Sequence, residues 1–153
     1  RPARPDRRSG SGAEGERALS LPGLFAVSET TELVTVYVQP IYRPEDSDPD
    51  AGHWLWHYHI RVENRSGVPV QLVDRHWIIT DGHGVRRDVM GEGVVGEQPV
   101  IAPGESFDYV SGCPLTTPWG SMKGRFGMVD SGGRRFEVAI PAFHLLSPDV
   151  TRQ

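Results

Sequence analysis

From residue 31 to residue 140 the chain alternates apolar and polar positions with a period of two, interrupted at short intervals by glycine, proline and acidic residues. Successive side chains of an extended strand point to opposite sides of the backbone, so period two marks strands with one buried face. The first such segment opens at Thr31, with Leu33, Thr35 and Tyr37 on one side, Val34, Val36 and Val38 on the other, and Pro40 near its end. Residues 43–52 (RPEDSDPDAG) are acidic and turn-rich and read as an exposed loop. The clearest strand covers residues 54–64, where Trp54, Trp56, Tyr58, Ile60 and Val62 share the dry face and Leu55, His57, His59, Arg61 and Glu63 the mostly wet one.

After a turn over residues 64–69, residues 70–80 (VQLVDRHWIIT) form the next strand, and Asp81-Gly82-His83-Gly84 supplies a tight hairpin whose return partner is residues 85–89. The pattern stops over residues 91–104, a glycine and proline loop, and resumes at Phe107, Tyr109 and Ser111. Residues 124–130 and 134–140 are the last two strands, joined by Ser131-Gly132-Gly133. About seven short strands, with no segment of helical period, predict an antiparallel β-sandwich of the immunoglobulin or fibronectin type III-like kind.

Composition adds boundaries. Residues 1–23 are rich in Pro, Arg, Gly, Ser and Glu and have almost nothing to bury, so a disordered polar tail is expected there and the sandwich domain over residues 24–153. The tail holds five arginines against Asp6, Glu14 and Glu16, so of the net charge of -4 the domain carries -6. An acidic domain is a poor general nucleic-acid binder, which normally presents a basic face to phosphates. The single cysteine, Cys113, excludes an intramolecular disulfide framework and points to a reducing cytoplasm. Apolar runs are only a few residues long, so no membrane insertion is expected.

Candidate chemistry is sparse. Gly91-Glu92-Gly93-Val94-Val95-Gly96 has the glycine spacing of a dinucleotide-binding loop, but that motif works at the start of a helix, and Glu97-Gln98-Pro99 and Pro103-Gly104 follow instead. A structural loop is the preferred reading, with a backbone anion nest as the alternative, opposed by the carboxylates of Glu92 and Glu97. His57 and His59 share a strand face at a spacing compatible with one metal ion, and His53 and His76 could approach in space, yet no third ligand is near in sequence. Glu45, Asp46, Asp48 and Asp50 match no calcium-loop spacing. Ser106, Ser111 and Cys113 lack an identifiable orienting base, so no catalytic residue, metal site or cofactor is expected, and the aromatic residues fall at core positions.

The chain resembles the ApaG proteins and ApaG-like domains. The residues that carry the resemblance are Asp74-Arg75-His76-Trp77, the run from Gly91 to Pro99, Pro103-Gly104 with Phe107-Asp108-Tyr109-Val110-Ser111-Gly112, Gly120-Ser121-Met122-Lys123-Gly124, and residues 136–143 with Ile140-Pro141. The resemblance covers roughly residues 28–147 and implies a fibronectin type III-like sandwich. It implies no catalytic residues. Bacterial members are linked to cobalt tolerance and magnesium efflux, and eukaryotic relatives carry the domain in F-box proteins and in a DNA polymerase partner, where it looks like an interaction module. The expected role is therefore a non-catalytic module that binds a protein partner through Gly91, Glu92, Gly93, Val94, Val95, Gly96 and Glu97. The alternatives are phosphate or pyrophosphate binding by the same loop, and a metal-handling accessory.

Overall fold

The computed structural model describes residues 25–152, and the tail expected over residues 1–23 lies outside them. Nine strands lie among the described residues: β1 (Val27–Thr31), β2 (Val34–Tyr42), β3 (Trp54–Asn64), β4 (Val70–Asp81), β5 (Arg86–Glu92), β6 (Val100–Ile101), β7 (Ser106–Leu115), β8 (Trp119–Asp130) and β9 (Arg135–Leu146). They form two antiparallel sheets packed as a sandwich, one in the order β1-β2-β3-β7 and the other in the order β9-β8-β4-β5, with β6 also pairing with β4. The helical turns among the described residues are 3-10 turns of three to five residues. No helix there is long and apolar enough to cross a membrane.

The core lies between the sheets and follows the alternation. Val34, Val36 and Val38 of β2 and Trp56, Tyr58, Ile60 and Val62 of β3 are buried, facing Leu72, Trp77 and Ile79 of β4 and Met122, Phe126 and Met128 of β8. Trp77 is the hub, with its ring 5.2 Å from Tyr58, 6.0 Å from Phe143 and 6.5 Å from Phe126, all near edge-to-face. Burying one such side chain contributes about 1.5–3 kcal/mol, so this cluster supplies much of the force that closes the sandwich. Asn64, buried at the end of β3, donates through Nδ2 to the carbonyls of Val68 (2.7 Å) and Ile101 (3.0 Å), which ties the following turn and β6 to the core.

Four boundaries differ from the sequence expectation. The strand expected from Thr31 begins instead at Val34, and a further strand, β1, precedes it and ends at Thr31, because Glu32 and Leu33 both take positive φ (49° and 66°) and turn β1 into β2 without a glycine to announce it. The return strand of the hairpin extends through Gly91 and Glu92, residues expected to be loop, because β4 offers pairing partners as far as Asp74. β6 is a further short strand inside the expected loop. At the C-terminal end β8 begins at Trp119 and β9 runs to Leu146, past an irregularity between Ile140 and Phe143, because the two segments pair with each other there.

Candidate functional site

The glycine-rich segment lies along the edge of β4, between β5 and β6. β4 has an irregularity between Leu72 and Asp74 in its pairing with β8, and the residue left over is Val73. The Val73 carbonyl accepts from the Gly93 N–H (2.8 Å) and from the Gln98 side chain (2.8 Å), while the Leu72 N–H donates to the Pro99 carbonyl (3.0 Å). The chain therefore leaves the edge at Gly93 and returns at Pro99. Between these points Val94 and Glu97 exchange backbone hydrogen bonds of 2.8 and 2.9 Å, and the central residues Val95 (φ 44°) and Gly96 (φ 81°) give the sign pattern of a type I′ turn.

Side chains hold the hairpin in place. Val94 is buried and seats it on the core, whereas Val95 is 53% exposed at its tip. Arg75 of β4 donates through Nη1 to the carbonyls of Glu92 and Gly93, both at 2.9 Å. Gly91 is opposite Arg75 in the ladder, and a Cβ at Gly91 would come within 2.9 Å of that guanidinium, so the missing side chain makes room for the clamp. Gln71 adds a bond from Nε2 to the Gln98 carbonyl at 3.1 Å. Sequence reasoning named Arg75 and Gln98 only within the resemblance and placed neither of them, nor Gln71 or Val73, in the site. For Arg75 a signal exists: it shares the parity of the buried Trp77 and Ile79, and a cation at a core-facing position needs a dedicated acceptor.

The seven expected site residues are thus brought together in one strand end and turn. Three of the loop's amides are already engaged. A pyrophosphate nest needs free backbone amides, and those of Gly93, Val94 and Glu97 already donate within the protein. The segment leads into β6 rather than a helix, and both Glu92 and Glu97 are exposed beside the turn.

Next to the loop, the outer face of the same sheet has an open depression of about 440 Å³ lined by Asp74, Arg75, His76, Met90, Gly91, Glu92, Arg125, Arg135 and Glu137. Most of its charges are neutralised in pairs, Asp74 with Arg135 at 2.8 Å and Arg125 with Glu137 at 3.4 Å. Beyond its rim, hydrogen bonds from Arg86 and His76 hold the Asp88 carboxyl below the ordinary carboxylate range.

The histidines do not converge. His57 and His59 lie on the outer face of the β1-β2-β3-β7 sheet, and His59 is hydrogen-bonded to Asp108 at 2.9 Å, an acceptor it shares with Arg61. His76 is on the outer face of the other sheet, 2.8 Å from Asp88, with the core in between. The approach of His76 to His57 and His59 considered from sequence is therefore corrected, since the two sheets lie between them, and His53 pairs with Asp48 in an isolated bridge ahead of β3. No group of three or more His, Cys, Asp or Glu that could hold a metal ion occurs among the described residues. Cys113 is buried, and burial pushes its thiol above the ordinary value.

Fold and loop together define a small antiparallel β-sandwich whose β4 edge is completed by a rigid glycine-rich hairpin. The chain belongs to the ApaG domain family, whose model matches residues 44–130. It is 51% identical over 121 residues to the protein ApaG of Rhodospirillum centenum, covering 79% of this chain and 93% of that protein. It is 48% identical over 122 residues to the protein ApaG of Rhizobium meliloti, covering 80% and 94%. A crystal structure from Bordetella pertussis, named there as an ApaA protein, superposes with a TM-score of 0.74 at 49% identity, covering 75% of this chain and 94% of that one.

Proposed function

We propose that this protein is a non-catalytic interaction module that docks a protein partner through the hairpin from Gly91 to Glu97. The observation that carries the reading is Val95: a β-branched residue in the left-handed region at φ 44°, more than half exposed, on a loop whose backbone is held at both ends. A β-branched side chain at positive φ is strained, and such strain persists where the surrounding structure enforces it for a purpose. Here it places an apolar side chain at the tip of a preorganised turn, and a partner that buries Val95 binds without the cost of ordering the loop.

The link to cobalt tolerance and magnesium efflux that the resemblance implies would then run through the partner rather than through an ion held by His57 and His59. The fibronectin type III-like description fits the same role, since sandwiches of that kind present loops and edges for recognition.

The test is affinity capture from the source cells with wild-type protein and with Val95→Asp, which replaces the exposed methyls by a charge without touching the turn's hydrogen bonds. A partner retained by the wild type and lost by the variant, with the fold unchanged by circular dichroism, is the expected result. ATP and a dinucleoside polyphosphate should leave the melting temperature unchanged. A nucleotide-dependent rise in melting temperature, together with partner retention by Val95→Asp, would favour the anion-binding alternative.

A further inference from the structure

We infer that a second copy of this chain pairs with it edge to edge and antiparallel along β5, about a two-fold axis through Val89. β5 is the outer strand of its sheet, bonded to β4 on one side and to no strand on the other among the described residues. The Asp81 N–H donates to the Val85 carbonyl (3.0 Å) and the Gly93 N–H to the Val73 carbonyl (2.8 Å), in one register with the β4–β5 ladder. Bonding alternates along an antiparallel strand, so residues 85, 87, 89, 91 and 93 face β4. Arg86, Asp88, Met90 and Glu92 therefore turn their N–H and C=O groups to the open side.

The other outer strands are blunted in ways β5 is not. β9 has its irregularity and Pro141, and its Ala139 N–H donates to Thr31 Oγ1 at 3.1 Å. β7 contains Pro114 on its open side, and β1 is five residues long. β5 has neither proline nor bulge, and its Met90 is 69% exposed. Open edges of this kind template the pairing of another strand.

Charge order selects a second copy as the occupant and Val89 as the centre. Arg86, Asp88, Met90 and Glu92 all project from the outer face. Antiparallel pairing centred on Val89 sets Arg86 opposite Glu92 of the second copy, twice by symmetry, and Asp88 opposite Met90. Centring on Asp88 would oppose the two Asp88 carboxylates, and centring on Met90 would set Asp88 against Glu92. Centring on Arg87 would pair Arg86 with Asp88 but oppose the two Arg87 guanidiniums and leave Glu92 beyond the ladder; since opposite charges across a strand pair stabilise it and like charges destabilise it, the Val89 register is favoured over these three. Glu92 has no ion-pair partner among the described residues, and Arg86 is anchored 2.8 Å from Asp88 with its side chain more than half exposed.

Sedimentation equilibrium of the full chain should show a monomer–dimer equilibrium. Amide hydrogen exchange locates the interface: the Asp88, Met90 and Glu92 amides should gain protection as concentration rises, while those of Val89 and Gly91, bonded to β4, are protected throughout. Glu92→Arg should weaken the dimer by about tenfold or more, because it turns two attractive pairs into two repulsive ones. The double variant Arg86→Glu/Glu92→Arg, which restores the pairing with reversed polarity, should recover most of the loss. The inference is overturned by a chain that stays monomeric, by a dimer indifferent to Glu92→Arg, or by Asp88 and Met90 amides whose exchange ignores concentration.

Discussion

Val95 and its two flanking glycines show how much one turn asks of single residues. Gly93 sits at φ 63°, and a Cβ there would land on the Glu97 carbonyl oxygen, a backbone atom held by the Val94 hydrogen bonds. Gly96 has φ 81° but open space around it. The two should therefore differ in urea denaturation: Gly96→Ala should cost about 1 kcal/mol from left-handed strain alone, and Gly93→Ala about 2 kcal/mol or more because strain and overlap add. Equal costs would mean that the hairpin relaxes away from the described geometry. Val95→Gly should instead raise stability by up to about 1 kcal/mol by relieving the strain, while weakening partner capture. Gain in stability with loss of binding separates a functional residue from a merely tolerated one.

At the scale of strands, β8 is the element squeezed from both sides, between β4 and β9. A Cβ at Gly124 would meet the His76 carbonyl oxygen in the neighbouring central strand, and one at Gly127 would meet Asp74 and Arg135 where their side chains join across β8 at 2.8 Å. The obstacles differ in stiffness. Gly124→Ala should lower stability by about 2 kcal/mol or more, since strand backbone must move, whereas Gly127→Ala should cost about 1 kcal/mol or less, since two flexible side chains can swing outward. Thermal melts of the two variants check the order, and a larger loss for Gly127→Ala would contradict it. Alternation within β3 foretold its buried residues Trp56, Tyr58, Ile60 and Val62, whereas in β4 the irregularity at Val73 moves the buried positions from Val70 and Leu72 to Trp77 and Ile79, which a strict period of two does not give. The extension of β5 through Gly91 and Glu92 was not legible, because glycine and glutamate at a strand end carry no propensity signal and are held there by β4.

For the molecule as a whole, half-buried Tyr37 and buried Tyr58 and Tyr109 predict how stability falls at alkaline pH. Desolvation, helped by the hydrogen bond its hydroxyl donates to Glu63 at 2.8 Å, pushes the Tyr37 pKa from 10.0 up to about 12. Desolvation also raises the pKa of Tyr58 and Tyr109. A raised pKa means that the folded chain keeps its protons where the unfolded chain begins to lose them. The stabilisation is complete below the unfolded value near pH 10 and is lost as pH rises through the folded values. The melting temperature should therefore drop steeply between about pH 10 and about pH 12, with phenolate absorbance appearing at the melt rather than before it. A flat profile over that range would show that these hydroxyls are solvated.

What the chain determined by itself was the alternation, and with it the all-β class, the inward face of β3 and the family. Alternation is local: burying one side of an extended backbone demands apolar residues at every second position, whatever the neighbour is. The clustering of the glycine-rich segment was visible too, and so was the mismatch between its spacing and the helix that a phosphate loop requires. The tertiary structure alone decided what that segment is made to do. The amides of Gly93, Val94 and Glu97 find their acceptors, and Arg75 finds the carbonyls of Glu92 and Gly93, only because β4 lies alongside. Whether β5 is an inner or an outer strand is likewise a matter of sheet order, which no local pattern encodes. Long-range pairing assigns the partner of each N–H and C=O, and the sequence within a strand specifies only which of its faces can be buried.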